Sequence, residues 1–157
     1  MARELHIAAT SVYIHFADRD LATLECFHRD LVRATEQAEA GPAGPAGKLR
    51  ARVLLLGEWV HRHPGLYKVL HESTLNQRTS MAFKQELAER TTAAVQRCMD
   101  AGLAPADDAA TVSLDLRAAV HGAVSMRVNQ PDLPWTPLEE QVDRFLVKLV
   151  GIPPEAL

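Results

Sequence analysis

The chain has 157 residues, 47% of them hydrophobic and 24% charged, with a formal net charge of −3 at neutral pH. That length suffices for a sizeable core, and the composition is ordinary for a globular protein. No apolar run approaches the roughly twenty residues of a membrane-spanning helix, and no signal peptide precedes the first helical pattern, so no membrane partner is expected and the cytoplasm is the expected location.

The stretch from Leu5 to Leu21 alternates inward and outward positions in the manner of a helix-turn-helix. Ala2, Leu5 and Ile7 face inward from a first helix and its turn, and Val12 and Phe16 make one side of a second helix apolar. The opposite face carries Thr10, Ser11, Tyr13 and Ile14, with His15 nearby. Hydroxyls, a phenol and an imidazole can donate to phosphate oxygens or reach base edges, which a helix laid in a major groove requires. Asp18 is a natural N-cap for the amphipathic run that starts at Leu21, and Arg19 behind it opposes the helix dipole unless a phosphate lies near. Up to Ala40, Arg3, Arg19, Arg29 and Arg33 stand against Glu4, Asp18, Asp20, Glu25, Asp30, Glu36 and Glu39. The segment is therefore acidic, where a nucleic-acid module is usually basic.

Gly41-Pro42-Ala43-Gly44-Pro45-Ala46-Gly47 is the clearest punctuation, because neither Gly nor Pro belongs inside a helix. It divides the chain into a region 1–40, a linker 41–47 and a helical body 48–157. Within the body, Leu49 to His61 forms a helix with Val53, Leu54, Leu56 and Val60 mostly inward, broken at His63-Pro64-Gly65. A short helix follows through Leu66, Tyr67, Val69 and Leu70. A long one runs from about Ser80 to a left-handed cap at Gly102. Asp107 and Asp108 open the next, whose apolar side holds Val112, Leu116, Ala119, Ala123 and Val124. Thr136-Pro137-Leu138-Glu139 has the form of a capping box, and the last helix extends to about Val150. No strand pattern competes, so the fold class is all-α. Cys26 and Cys98 sit inside helical patterns and are expected to be buried free thiols.

Chemistry-bearing constellations are sparse. His61-x-His63, with His71 and Glu72 nearby, places its imidazoles two apart on a helix and so on different faces, and Cys26-x-His28 fails as a chelate for the same reason. The pairs Asp107-Asp108 and Glu139-Glu140 lie at helix starts, where capping and the dipole explain them. With no Gly-rich phosphate loop and no nucleophile motif, no catalytic residue, metal site or cofactor is expected, and the chain is not expected to be an enzyme.

Met1-Ala2, Ser11-Val12-Tyr13-Ile14-His15-Phe16 and Asp18-Arg19 together resemble the fingerprint of the tetracycline repressor (TetR) family of transcriptional regulators. The body resembles a C-terminal domain type of that family in Val120-His121-Gly122, Pro134-Trp135 and His63-Pro64-Gly65-Leu66-Tyr67. The resemblance implies base-edge contacts near Ala9, Thr10 and Tyr13, and backbone contacts from Ser11, Tyr13, His15 and Arg19. Three positions depart from the pattern: Ile14 replaces an aromatic or basic residue, Ala8 replaces a capping Ser, and Ala9 has no hydrogen-bonding side chain. Family members also carry a whole helix ahead of the point where Met1 stands, so the DNA-binding domain is expected to lack its first helix, through a misplaced start or a real truncation.

The resemblance further implies a homodimer in which the last two helices pair with their copies, with the small residues Ala118, Ala119, Gly122, Ala123 and Ser125 allowing close approach. A small hydrophobic or aromatic effector would sit among the body helices, with Trp59, Tyr67, Met81, Phe83, Met99, His121 and Met126 as candidate lining; ordinary core packing is the competing role for each. The expected function is a regulator of double-stranded operator DNA, a repressor released by its ligand. The alternative is a truncated helical dimer that binds a small molecule or a partner protein and does not hold DNA.

Overall fold

A computed structural model of the chain describes residues 26, 28–65, 67–68 and 77–157, with side chains at all of these except 77–83. Every regular element among them is helical, as an all-α fold requires. Helix α1 covers 28–39, α2 Pro45–Arg62, α3 Gln77–Asp100, α4 Ala109–Asn129 and α5 Leu138–Phe145. The last continues as a wider π-helical turn over Leu146–Val150, followed by a 3-10 turn at Pro154–Ala156. No helix among the described residues is long and apolar enough to cross a membrane.

Helix α2 starts ahead of the Leu49 that apolar periodicity marks. Gly44 stays extended and Pro45 occupies the first turn, where its missing N–H costs nothing and its fixed φ suits a helix. Residues 45–47 of the expected linker are therefore helical, and only 40–44 separate α1 from α2. Ala46, Leu49, Val53, Gly57 and Val60 form the buried stripe of α2, with Arg52 buried among them. The helix stops at His63, whose N–H donates to the carbonyls of Trp59 and Val60. Pro64 disfavours helical backbone at the residue before it.

The ends of α3 and α4 follow the sequence closely. Gly102 takes a left-handed φ of 70°, its N–H donates to the Met99 carbonyl, and the Leu103 N–H donates to that of Cys98. This pair of bonds is the Schellman arrangement that satisfies the orphan carbonyls of a helix end. Asp108 caps α4 by accepting from the N–H groups of Ala110 and Thr111 and from the Thr111 hydroxyl.

Two expectations need correction. The capping box at Thr136 does not form: α5 begins at Leu138 with Pro137 as the cap residue, and no side chain closes the turn. The Thr136 hydroxyl instead accepts from Arg144 Nη2 at 2.9 Å and its carbonyl from Arg127 Nη2 at 2.6 Å, so two arginines hold it out of the helix. Cys98 is buried as expected, but Cys26 is exposed. Its Sγ accepts from Arg29 Nη2 at 3.3 Å, a contact available only at an outer helix position.

Helix α2 packs on α3, α4 and α5, α3 packs on α4, and the last helix returns against α2 and α4. Leu49, Leu116, Leu146 and Ile152 are fully enclosed where these elements meet. Burying each such side chain contributes about 1.5–3 kcal/mol. Polar ties lock the same packing: Arg50 grips Asp143 with two parallel bonds of 2.5 and 3.0 Å between α2 and α5. The Arg127 guanidinium lies 4.8 Å from the centre of the Trp135 ring, and Trp135 Nε1 donates to the Gln130 carbonyl. These contacts give the Pro134-Trp135 motif a physical role, pinning the loop between α4 and α5 to the end of α4.

Candidate functional site

Helix α1 turns His28, Leu31 and Thr35 inward, three positions at helical spacing. Across from them, α2 presents Arg52, Val53, Leu56, Trp59 and Val60, α3 presents Lys84, Leu87 and Thr91, and α4 presents Leu116, Val120, His121 and Val124. The four helices do not close on one another completely. They leave a mainly apolar cavity of about 340 Å³, completed by Tyr67, Leu114, Arg117 and Ala118. That volume lies at the small end of the range for ligand pockets. Two broader grooves elsewhere lie between α2, α4 and the Trp135 loop, and beside Arg50 and Asp143. Neither is enclosed by four helices.

One contact joins two motifs far apart in sequence. The Tyr67 hydroxyl and His121 Nδ1 are 2.7 Å apart, with ring centres 5.5 Å apart, so the histidine of Val120-His121-Gly122 meets the tyrosine that ends His63-Pro64-Gly65-Leu66-Tyr67 at the cavity wall. Tyr67 is buried, and its hydroxyl also lies 3.4 Å from the His121 carbonyl. A buried phenol needs such a partner.

Electrostatics on the α1 side are organised by arginines. Arg52 is buried, and its Nη1 donates to Glu39 Oε1 at 2.7 Å while its Nε donates to the Thr91 hydroxyl at 3.2 Å. Burial pulls the Arg52 guanidinium below its ordinary value, and the bond to Glu39 opposes that pull. Arg97 also reaches Glu39, and Arg90 reaches Glu36, so the carboxyl-terminal half of α1 is tied to both α2 and α3. His28 Nε2 lies 3.2 Å from Glu86 Oε2. Lys84 is partly buried, and burial lowers its ammonium from the ordinary lysine value.

The expected lining residues divide. Trp59, Tyr67 and His121 meet at the cavity. Met99 packs against the core outside it, and Met126 is exposed on α4. Met81 and Phe83 fall on α3, with side chains outside the described residues. Ala9, Thr10, Ser11, Tyr13, His15 and Arg19 also lie outside the described residues. Sequence reasoning passed over the polar lining, Arg52, Lys84, Arg117, Thr35 and Thr91. A signal existed for Arg52: a charged residue within the apolar stripe of α2 must find a partner.

A family model described as "Tetracyclin repressor-like, C-terminal domain" matches residues 49–150. No curated protein and no solved structure matches the chain. The matched span contains most of α2, all of α3, α4 and the last helix with its π-helical turn, and most of the cavity wall. The chain belongs to the tetracycline repressor family of transcriptional regulators, with the family's C-terminal domain at residues 49–150.

Proposed function

We propose that the chain is a homodimeric, DNA-binding transcriptional repressor that leaves its operator when a small hydrophobic ligand fills the four-helix cavity. The observation that carries this reading is that α1 supplies part of the cavity wall through His28, Leu31 and Thr35. The segment Thr10–Arg19 precedes that helix in the sequence. A ligand that contacts α1 better in one position than another biases that position by its difference in affinity, and operator affinity changes by linkage. The ion pairs Arg52–Glu39 and Arg90–Glu36 hold the other end of α1 on the body, so α1 tilts about a fixed point and does not slide.

Dimerisation has support on α4. Leu114, Ala118, Gly122 and Ser125 follow one another along α4 at helical spacing, starting at the rim of the cavity, where Leu114 is 59% exposed. A helix that is apolar or small on both sides is one that meets packing partners on both sides. Ala9, Thr10, Ser11, Tyr13, His15 and Arg19 are proposed to contact DNA, with Arg19 on a phosphate.

The test is fluorescence anisotropy of DNA from the gene's own upstream region, titrated with the full chain across a salt series. Sequence-dependent binding that weakens with salt is expected, and Arg19→Ala is expected to lower the salt slope by about 1. A folded dimer that binds no DNA would overturn the reading in favour of a helical dimer that binds ligand alone.

A further inference from the structure

We propose that the cavity selects a small amphiphilic anion, a hydrophobic carboxylate whose head is held by Lys84 and Arg117 and whose tail lies against the apolar wall. The proposal rests on the reading of this cavity as the effector site and adds the chemical class of the ligand.

Among the described residues, the lining contains Arg52, Lys84 and Arg117 and no aspartate or glutamate. Arg52 is already matched, by Glu39 at 2.7 Å. Lys84 and Arg117 are only partly exposed, and neither has an ion pair or side-chain hydrogen bond among the described residues. Burial lowers the Lys84 ammonium, and no carboxylate among the described residues counters it. The neutral donors are largely committed. The Thr35 hydroxyl donates to the Val32 carbonyl at 2.7 Å, the Thr91 hydroxyl to the Leu87 carbonyl at 2.8 Å, and Tyr67 and His121 engage each other.

Lys84 and Arg117 are therefore charged lining groups with no partner among the described residues, and what they offer a ligand is cationic. A partly desolvated cation without a counter-charge costs free energy, and an incoming carboxylate recovers it while forming charge-assisted hydrogen bonds. The same two charges repel an amine and offer a neutral alcohol much less. With about 340 Å³ available, the ligand is a short fatty acid or an aromatic carboxylic acid.

Isothermal titration of the full chain with octanoate, octan-1-ol and octylamine tests the idea, because the three share a tail and differ in head charge. Octanoate is expected to bind at least tenfold more tightly than octan-1-ol, and octylamine more weakly than either. Lys84→Met and Arg117→Met are each expected to weaken octanoate about tenfold and to leave octan-1-ol unchanged, and the unchanged alcohol also shows that the variant cavity is folded. Equal affinity for the three probes, an octanoate preference that survives both substitutions, or no binding of octanoate would each overturn the proposal. Octanoate bound through Lys84 and Arg117 without any effect on operator binding would sustain the anion site and refute its role as effector site, so the two readings fail separately.

Discussion

Gly151 closes the last helix, and replacing it with alanine tests how that helix is seated. The residue has a φ of 80° and follows the π-helical turn Leu146–Val150, after which the Ile152 N–H donates to the Leu146 carbonyl at 3.2 Å. Two separate costs fall on a side chain there. Left-handed backbone costs a non-glycine residue about 1–2 kcal/mol. A Cβ at this position also meets Pro105 Cδ at 2.6 Å and Cγ at 3.1 Å. Ring atoms cannot swing aside as the tip of a long side chain does, so overpacking adds about 1–3 kcal/mol. The sum is about 2–5 kcal/mol.

Gly102 provides the control. Its φ is 70° and nothing lies within 4 Å of its would-be Cβ, so Gly102→Ala carries the backbone term alone, about 1–2 kcal/mol. Urea unfolding of both variants, read by circular dichroism, gives the difference, and thermal unfolding should fall by about 2–4 °C per kcal/mol for a chain of this size. Pro105→Ala in the Gly151→Ala background removes Cγ and Cδ and should return Gly151→Ala to the cost of Gly102→Ala. Equal destabilisation by the two glycine substitutions, or no recovery with Pro105→Ala, would refute the close seating of the last helix against the turn at Pro105.

The bond between Tyr67 and His121 predicts a coupling of about 0.5–1.5 kcal/mol in a cycle of Tyr67→Phe, His121→Ala and the double variant, measured by urea unfolding. Additive effects would show that the 2.7 Å contact contributes nothing to stability. Asp108 predicts a pH signature. Bonds from the Thr111 hydroxyl, the Thr111 N–H and the Ala110 N–H hold its carboxyl below the ordinary 3.8, so the charged cap stabilises the fold above that value and is lost as pH falls further, through the folded value. Asp108→Asn keeps a capping oxygen without the charge. The excess melting temperature of the parent over Asp108→Asn should therefore hold above pH 3.8 and shrink as pH falls from there to about 2, and a gap that stays constant down to about pH 2 would refute the assignment.

Local rules wrote much of the fold in advance, and the exceptions show where they stop. Gly102 and Asp108 end and begin their helices through bonds to residues at most five positions away, so the sequence window that predicts them contains every participant. Thr136 matched the pattern of a capping box equally well and formed none, because Arg127 and Arg144 engaged its carbonyl and hydroxyl from outside the window. The cavity belongs to the second kind of fact. Apolar periodicity names the inward face of each helix, but whether four inward faces fill the space between them depends on how the helices cross, and Trp59, Met99 and Met126 satisfy the same compositional criterion while only Trp59 reaches the gap. The polar lining was legible by a different rule. A charge on an inward face is costly unless something answers it. For Arg52 that answer is Glu39 within the chain. Lys84 and Arg117 have none among the described residues, and the proposed anion site rests on that difference.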